Sequence, residues 1–204
     1  MAERRRGTPT PPTDTTVRDR DWTVNELVGA TYERTEFVDV DMADLLNRGS
    51  TFRECVFRGV EFNSSTHTEA AFLNCTFVRC EFFDATFTDC KLVGSVFDGG
   101  SFDVLRVSGG DWSFTGLPGA DLRRASFTGV RLHDVDLTGA KCAGASFTEV
   151  DLSDAWLHGA DFTGADLRGS DLSGIDPTSF TLTGARIEPE QAVTIALALG
   201  FRLG

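Results

Sequence analysis

The chain has 204 residues, 41% of them apolar and 25% charged, enough for one domain with a continuous core. No stretch approaches the roughly 18 consecutive apolar residues that span a bilayer. The start, Met1-Ala2-Glu3-Arg4-Arg5-Arg6-Gly7, has no apolar run behind its basic residues, so the cytoplasm is the expected compartment. The formal net charge of −12 is unevenly placed, because residues 21–180 carry twenty-six acidic and twelve basic groups. Such a field opposes nucleic acid and anionic membrane and favours basic protein partners.

Residues 1–20 are rich in Thr, Pro, Arg and Asp, with Pro9, Pro11 and Pro12 close together, and read as a disordered arm. Arg4-Arg5-Arg6 could touch nucleic acid, but the acidity of the remainder argues against direct nucleic-acid binding.

From residue 21 to residue 187 a period of five dominates. Every fifth position from Trp22 to Ile187 is apolar except Asn47, His67 and Pro177, and thirteen of the seventeen Phe fall in this register. Two residues earlier the slot is small, as at Cys55, Cys75, Cys80, Ala85, Ala120 and Ala160; two residues later Gly recurs. A period of five fits neither a helix at 3.6 nor a plain strand at 2.0. It fits a coil of short straight edges and tight turns, with one large inward residue per edge and Gly relieving the corners.

Ala120-Asp121-Leu122-Arg123-Arg124, Ala160-Asp161-Phe162-Thr163-Gly164 and Ala165-Asp166-Leu167-Arg168-Gly169 resemble the A-(D/N)-L-X-X consensus of pentapeptide-repeat proteins. That resemblance implies an all-β solenoid, a right-handed quadrilateral β-helix with four pentapeptides per coil. Stacking at ~4.8 Å then makes a rod about 40 Å long. Gly94-Ser95-Val96-Phe97, Gly184-Ala185-Arg186-Ile187 and Gln191-Ala192-Val193 are similar to the MfpA and Qnr branch of fluoroquinolone-resistance proteins, and to MfpA more than to Qnr. This implies a dimeric DNA mimic that binds DNA gyrase, competes with DNA and lowers susceptibility to quinolones.

After Ile187, residues 188–204 open a short C-terminal helix with Glu188-Pro189-Glu190-Gln191 and reach a C-cap at Gly200. One face should cap the last coil. The other offers a homodimer contact from Val193, Ile195, Leu197, Leu199, Phe201 and Leu203.

Catalytic candidates are few. His67 falls on an inward slot one coil beyond Asn47, so the two should hydrogen-bond in the core, while His133 and His158 should face solvent. The five Cys show no metal spacing and pack as small hydrophobes. There is no P-loop, no G-x-S-x-G and no His/Asp/Ser set, so neither an enzyme nor a cofactor is expected.

Residues just before each inward one should point outward. Folding at twenty residues per coil stacks Asp21, Asp41, Glu61 and Glu81, then, after Ser101, Asp121, Lys141 and Asp161. Asp111, Asp136, Asp151, Asp166, Asp171 and Asp176 take the same slot elsewhere. Asp is also simply the consensus at a solvated slot, but Glu at two coils departs from it. An interaction module with an unrelated partner is the alternative, supported by outward Leu73, Val78, Phe83, Val93 and Trp156. A third reading is an immunity protein against a toxin that targets a topoisomerase.

Overall fold

Parallel pairing joins residues twenty apart along the chain: Thr15 with Thr35, Glu26 with Leu46, Thr31 with Thr51, and Thr76 with Val96. The computed structural model describes residues 10–21 and 24–202. Each five-residue unit is one side of a coil and four units close it, so the coils stack into a four-sided parallel β-solenoid. One side is a seven-stranded sheet from Glu26–Val28 to Ser146–Thr148. Bridges from Ser146 to Asp166 and from Asp166 to Arg186 extend it to nine rungs, about 38 Å at ~4.8 Å per step. The next sides hold a three-stranded sheet that begins at Thr31–Glu33 and a five-stranded sheet that begins at Thr15–Arg18. Single bridges from Asp41 onward mark the fourth.

The corners explain why the unit is five residues long. From Gly29 to Gly174 the residue two beyond each inward one has a left-handed φ, with Arg124 the exception. Glycine takes this conformation freely, and Asp39 (φ 51°), Asn74 (φ 53°) and Asp84 (φ 55°) take it as short polar residues can. Val104 (φ 59°) and Phe114 (φ 60°) do so against steric preference.

Inside, the large residues form columns. Phe37, Phe57, Phe77 and Phe97 stack with ring centroids 4.9, 4.8 and 4.6 Å apart. Adjacent columns meet edge to face, as Phe57 meets Phe62 at 5.6 Å. The small slot does more than fill space. Ser95 Oγ donates to Phe72 O at 2.8 Å, Ser170 Oγ to Phe147 O at 2.8 Å, and the Cys80 thiol to Phe57 O at 3.4 Å. The cysteines are therefore weak donors to the neighbouring coil as well as compact hydrophobes.

One boundary and one repeat unit differ from the sequence reading. Thr15–Arg18, inside the segment read as an arm, is a strand paired with Thr35–Val38. Val17 lies in the same five-residue register and stacks on Phe37, which is why the chain is held there. Residues 1–9 and the Trp22 slot lie outside the described residues. Near the other end the Pro177 unit is irregular: Gly159 N–H reaches Ser179 O, one residue beyond the usual partner. Phe180 packs against the core instead, 5.8 Å from the Phe162 ring, supplying apolar volume that a Pro cannot.

The helix α1 (Pro189–Ala198) closes the rod with a polar residue. Gln191 is buried, its Nε2 donates to Leu167 O and Ser170 O at 2.7 Å each, and its Oε1 accepts Glu188 N–H at 2.8 Å. Phe201 N–H to Ala196 O and Gly200 N–H to Leu197 O end the helix at a left-handed Gly200 (φ 86°).

Candidate functional site: an acidic face of the solenoid

On the fourth side the structure stacks Asp41 on Glu61 and Glu61 on Glu81, all three exposed, at about 4.8 Å per rung. Like charges at that spacing repel, so the stack is electrostatically costly unless something else uses it. Asp21 does not continue the ladder; it ends the 3-10 turn Asp19–Asp21, and Asp19 instead places a carboxylate 3.4 Å from the Asp41 N–H. Asn63 steadies the far end, its Nδ2 donating to Glu81 Oε2 at 3.3 Å. Asp19 and Asn63 were not singled out in the sequence, since neither occupies the slot before an inward residue.

The second half of the column is different. Asp121, Lys141 and Asp161 are stacked by bridges, but Arg123 grips Asp121 with two hydrogen bonds of 2.8 and 2.6 Å. That grip holds the Asp121 carboxyl below the usual range. Asp161 accepts from Thr163 N–H at 2.9 Å, and hydrogen bonding from Thr163 lowers its pKa too. Arg123 and Lys141 offset the carboxylates of this half, so the uninterrupted run of negative charge is the first three rungs.

The same turn geometry accounts for the other aspartates. Asp111, Asp136, Asp151, Asp171 and Asp176 each accept the backbone N–H two residues on, at 2.9 to 3.0 Å. Asp166 is only 7% exposed, and Arg168, helped by Arg186, pulls its carboxyl down to about 2. These six are spread over several sides and shape corners. Asp41 makes this bond as well, to Ala43 N–H at 2.9 Å, whereas no such bond forms at Glu61 or Glu81. The two glutamates are thus the residues that turn chemistry leaves unexplained.

The remaining candidates resolve into core chemistry. Asn47 Nδ2 lies 3.1 Å from His67 Nδ1, His67 Nε2 lies 3.0 Å from Ser65 Oγ, and Ser65 Oγ donates to Phe62 O at 2.6 Å. Burial lowers the His67 pKa to about 3, so the ring is neutral. His133 is half-buried beside Ser153, and His158 is exposed. Burial pushes the Cys80 and Cys90 thiols up to about 12 and 11. Among the described residues no group of three or more His, Cys, Asp or Glu gathers as a metal site would need. On the far surface of the helix Val193, Leu197, Leu199 and Phe201 are exposed, while Ile195 turns inward against the core; Leu203 lies outside the described residues. The outward apolar residues do not form one patch: Leu73 and Val93 share one side, Val78 lies on another and Phe83 on the acidic one.

A four-sided parallel solenoid with five-residue sides defines the class of protein. A pentapeptide-repeat family description, in eight copies, matches residues 113–141, 136–174 and 145–184, and the same five-residue register continues through the coils before them. Similar solved structures include HetL, involved in heterocyst differentiation regulation in the cyanobacterium Nostoc sp., at 18% identity over 84% of this chain and 86% of that one, TM-score 0.43. Others are QnrB1, a plasmid-mediated fluoroquinolone resistance protein, at 18% identity over 94% and 100%, TM-score 0.37, and a thylakoid-lumen pentapeptide-repeat protein of Arabidopsis thaliana, at 23% over 54% and 76%, TM-score 0.33. No curated protein sequence matches the chain.

Proposed function

We propose that this chain is a non-enzymatic, cytoplasmic DNA mimic that lays its acidic side in the DNA-binding surface of DNA gyrase or a related type II topoisomerase, modulating or inhibiting the enzyme and protecting it from quinolones. The observation that carries this reading is the exposed stack Asp41–Glu61–Glu81, two of whose members serve no corner of the fold. The resemblance of Gly94-Ser95-Val96-Phe97 and Gly184-Ala185-Arg186-Ile187 to the MfpA branch points to the same partner. Duplex DNA presents one charge per ~1.7 Å and the column one per ~4.8 Å, so the likeness is of shape and potential, not of phosphate register. Nine rungs correspond to about 11 base pairs, and a homodimer joined through Val193, Leu197, Leu199 and Phe201 would double that span.

A supercoiling assay with purified gyrase, with and without a quinolone, tests the reading. The chain should inhibit supercoiling and reduce drug-stabilised cleavage, with an effect that weakens steeply as salt rises. Asp41→Lys, Glu61→Lys and Glu81→Lys together should raise the half-inhibitory concentration at least about tenfold, since each lost charge contact is worth a fraction of the 1.4 kcal/mol per decade. Equal potency of this variant would remove the acidic side from the mechanism. A second reading, an interaction module with an unrelated partner, draws on Phe83, 49% exposed on the same side. Phe83→Ser would then abolish binding while the charge reversals spare it. An immunity role against a topoisomerase toxin shares the gyrase contact and differs in its setting, which neighbouring genes would show.

A further inference from the structure

The acidic side contains a break in its main-chain ladder. Glu61 N–H bonds to Val40 O at 3.1 Å, Phe62 N–H to Glu81 O at 2.7 Å and Ser64 N–H to Phe83 O at 2.8 Å, and the pattern resumes with Leu122 N–H to Lys141 O at 2.8 Å. Between the rungs of Ser101 and Asp121 the three equivalent bonds are missing among the described residues: Asp121 N–H to Gly100 O, Phe102 N–H to Asp121 O, and Val104 N–H to Arg123 O. A cleft of about 460 Å³ opens there, lined by Gly100, Ser101, Phe102, Asp103, Asp121, Arg123 and Arg124.

Several residues cause the opening together. Gly100 stands where other coils place Val40, Val60, Cys80 or Ala120; its φ of 147° suits only glycine, and a Cβ there would meet Cys80 O at 2.7 Å. Arg124 is the corner that does not turn left-handed. Phe102 ends the unbroken run of rings Phe62, Phe82 and Phe102, 5.5 Å from Phe82, and the smaller Leu122 follows on the next rung. The cleft is crossed by one ion pair, Arg124 to Asp103 at 3.0 Å, with both side chains substantially exposed.

We propose that this cleft is a docking slot for a two- or three-residue extended segment of a protein partner, held through its main chain. Its walls present alternating N–H and C=O groups in rungs that would otherwise hydrogen-bond to each other, and leaving such groups unpaired is costly. A peptide backbone offers the same alternation and repairs it, as in strand addition to a sheet edge. An anion is a poorer occupant, because Arg123 is engaged by Asp121 and Arg124 by Asp103. The volume suits a short segment. The slot lies one rung beyond Glu81, so a partner covering the acidic side would reach it, and the inference holds whatever that partner is.

The test uses the ¹⁵N-labelled full chain and the blocked peptide acetyl-Thr-Val-Thr-Val-amide, whose β-branched residues favour an extended backbone. Binding at about 1 mM should shift the amides of Phe102, Val104 and Asp121 and slow their hydrogen exchange at least about tenfold, and a backbone N-methylated copy should do neither. The proposal fails if the peptide has no effect at about 10 mM, or if both peptides act alike. It fails equally if shifts centre on the edge strand Thr15–Arg18, or if the free chain already protects these amides as well as that of Phe62.

Discussion

Asn47 and His67 are polar residues in a column otherwise apolar, from Leu27 through Phe87, Val107, Phe127 and Phe147 to Leu167. With Asn47 donating to Nδ1, the ring proton sits on Nε2 and faces Ser65, whose hydroxyl passes on to Phe62 O. In that orientation Asn47 Oδ1 is left without a partner, and burial is what keeps the imidazole neutral. The native ring, at about 3, stays unprotonated where an unfolded imidazole at 6.5 takes up a proton. The stability it contributes is therefore whole above pH 6.5 and falls as pH drops toward 3, by up to about 1.4 kcal/mol per pH unit. Urea midpoints should decline by an amount equivalent to about 2 kcal/mol between pH 6.5 and 5, and the double variant Asn47→Leu with His67→Phe should flatten that slope. The pairing itself was legible in the sequence, since both residues broke an apolar register twenty apart. The corners were only half legible. Gly at the turn position announced itself, but Asp, Glu and Arg there look like ordinary surface residues, and Val104 gives no sign of its φ of 59°. Val104→Gly should stabilise the chain by about 0.5–1 kcal/mol, the relief of a left-handed β-branched residue less the added freedom of the unfolded chain. Chemical denaturation measures it, and a loss of stability would mean the side chain matters more than its backbone.

The terminal helix shows how one element can be foreseen while its working residue is not. Its start was readable from Glu188-Pro189-Glu190-Gln191, yet the carbonyls of the last coil are met by a glutamine, beside the packing of Ile195 on the core. Periodicity cannot reveal that a polar side chain has turned inward to meet two carbonyls. Gln191→Ala leaves Ser170 O unpaired, leaves Leu167 O with only its bond from Ser170 N–H, and frees the Glu188 N–H, a cost of about 1–3 kcal/mol. The loss should appear first as faster amide exchange around residues 167–170, ahead of global unfolding. Unchanged exchange there would show that Ile195 and its neighbours suffice as the cap. The strand Thr15–Arg18 was missed for the opposite reason: a lone Val17 among Thr, Pro and Arg is too little apolar signal to separate a strand from an arm.

At the level of the molecule, the solenoid was legible almost completely and the acidic site only in part. A five-residue register repeated with few exceptions fixes coil, core and length. Which carboxylates are available for a partner depends on side-chain bonds that spacing does not encode: Arg123 on Asp121, Arg168 on Asp166, and Thr or Ser turns on the others. The exposed Val193, Leu197, Leu199 and Phe201 lead to a prediction about assembly. Leu197→Glu with Phe201→Glu should convert a dimer to a monomer in sedimentation velocity while leaving the β-solenoid circular dichroism unchanged. A species of unaltered mass would place any self-association elsewhere.

The twenty-residue spacing of every rung also bears on how the chain reaches its native state. Main-chain bonds between coils join residues about 19 to 21 apart, such as Met42 with Glu61 and Leu46 with Asn25. Relative to 204 residues this separation is about 0.1, in the range of helical bundles and not of β-sandwiches. No strand has to wait for a distant partner. Each coil can settle on the one synthesised before it, using that coil as its template, and growth runs in one direction along the axis. The growing end always bears an open edge, and only the arrival of Gln191 closes it.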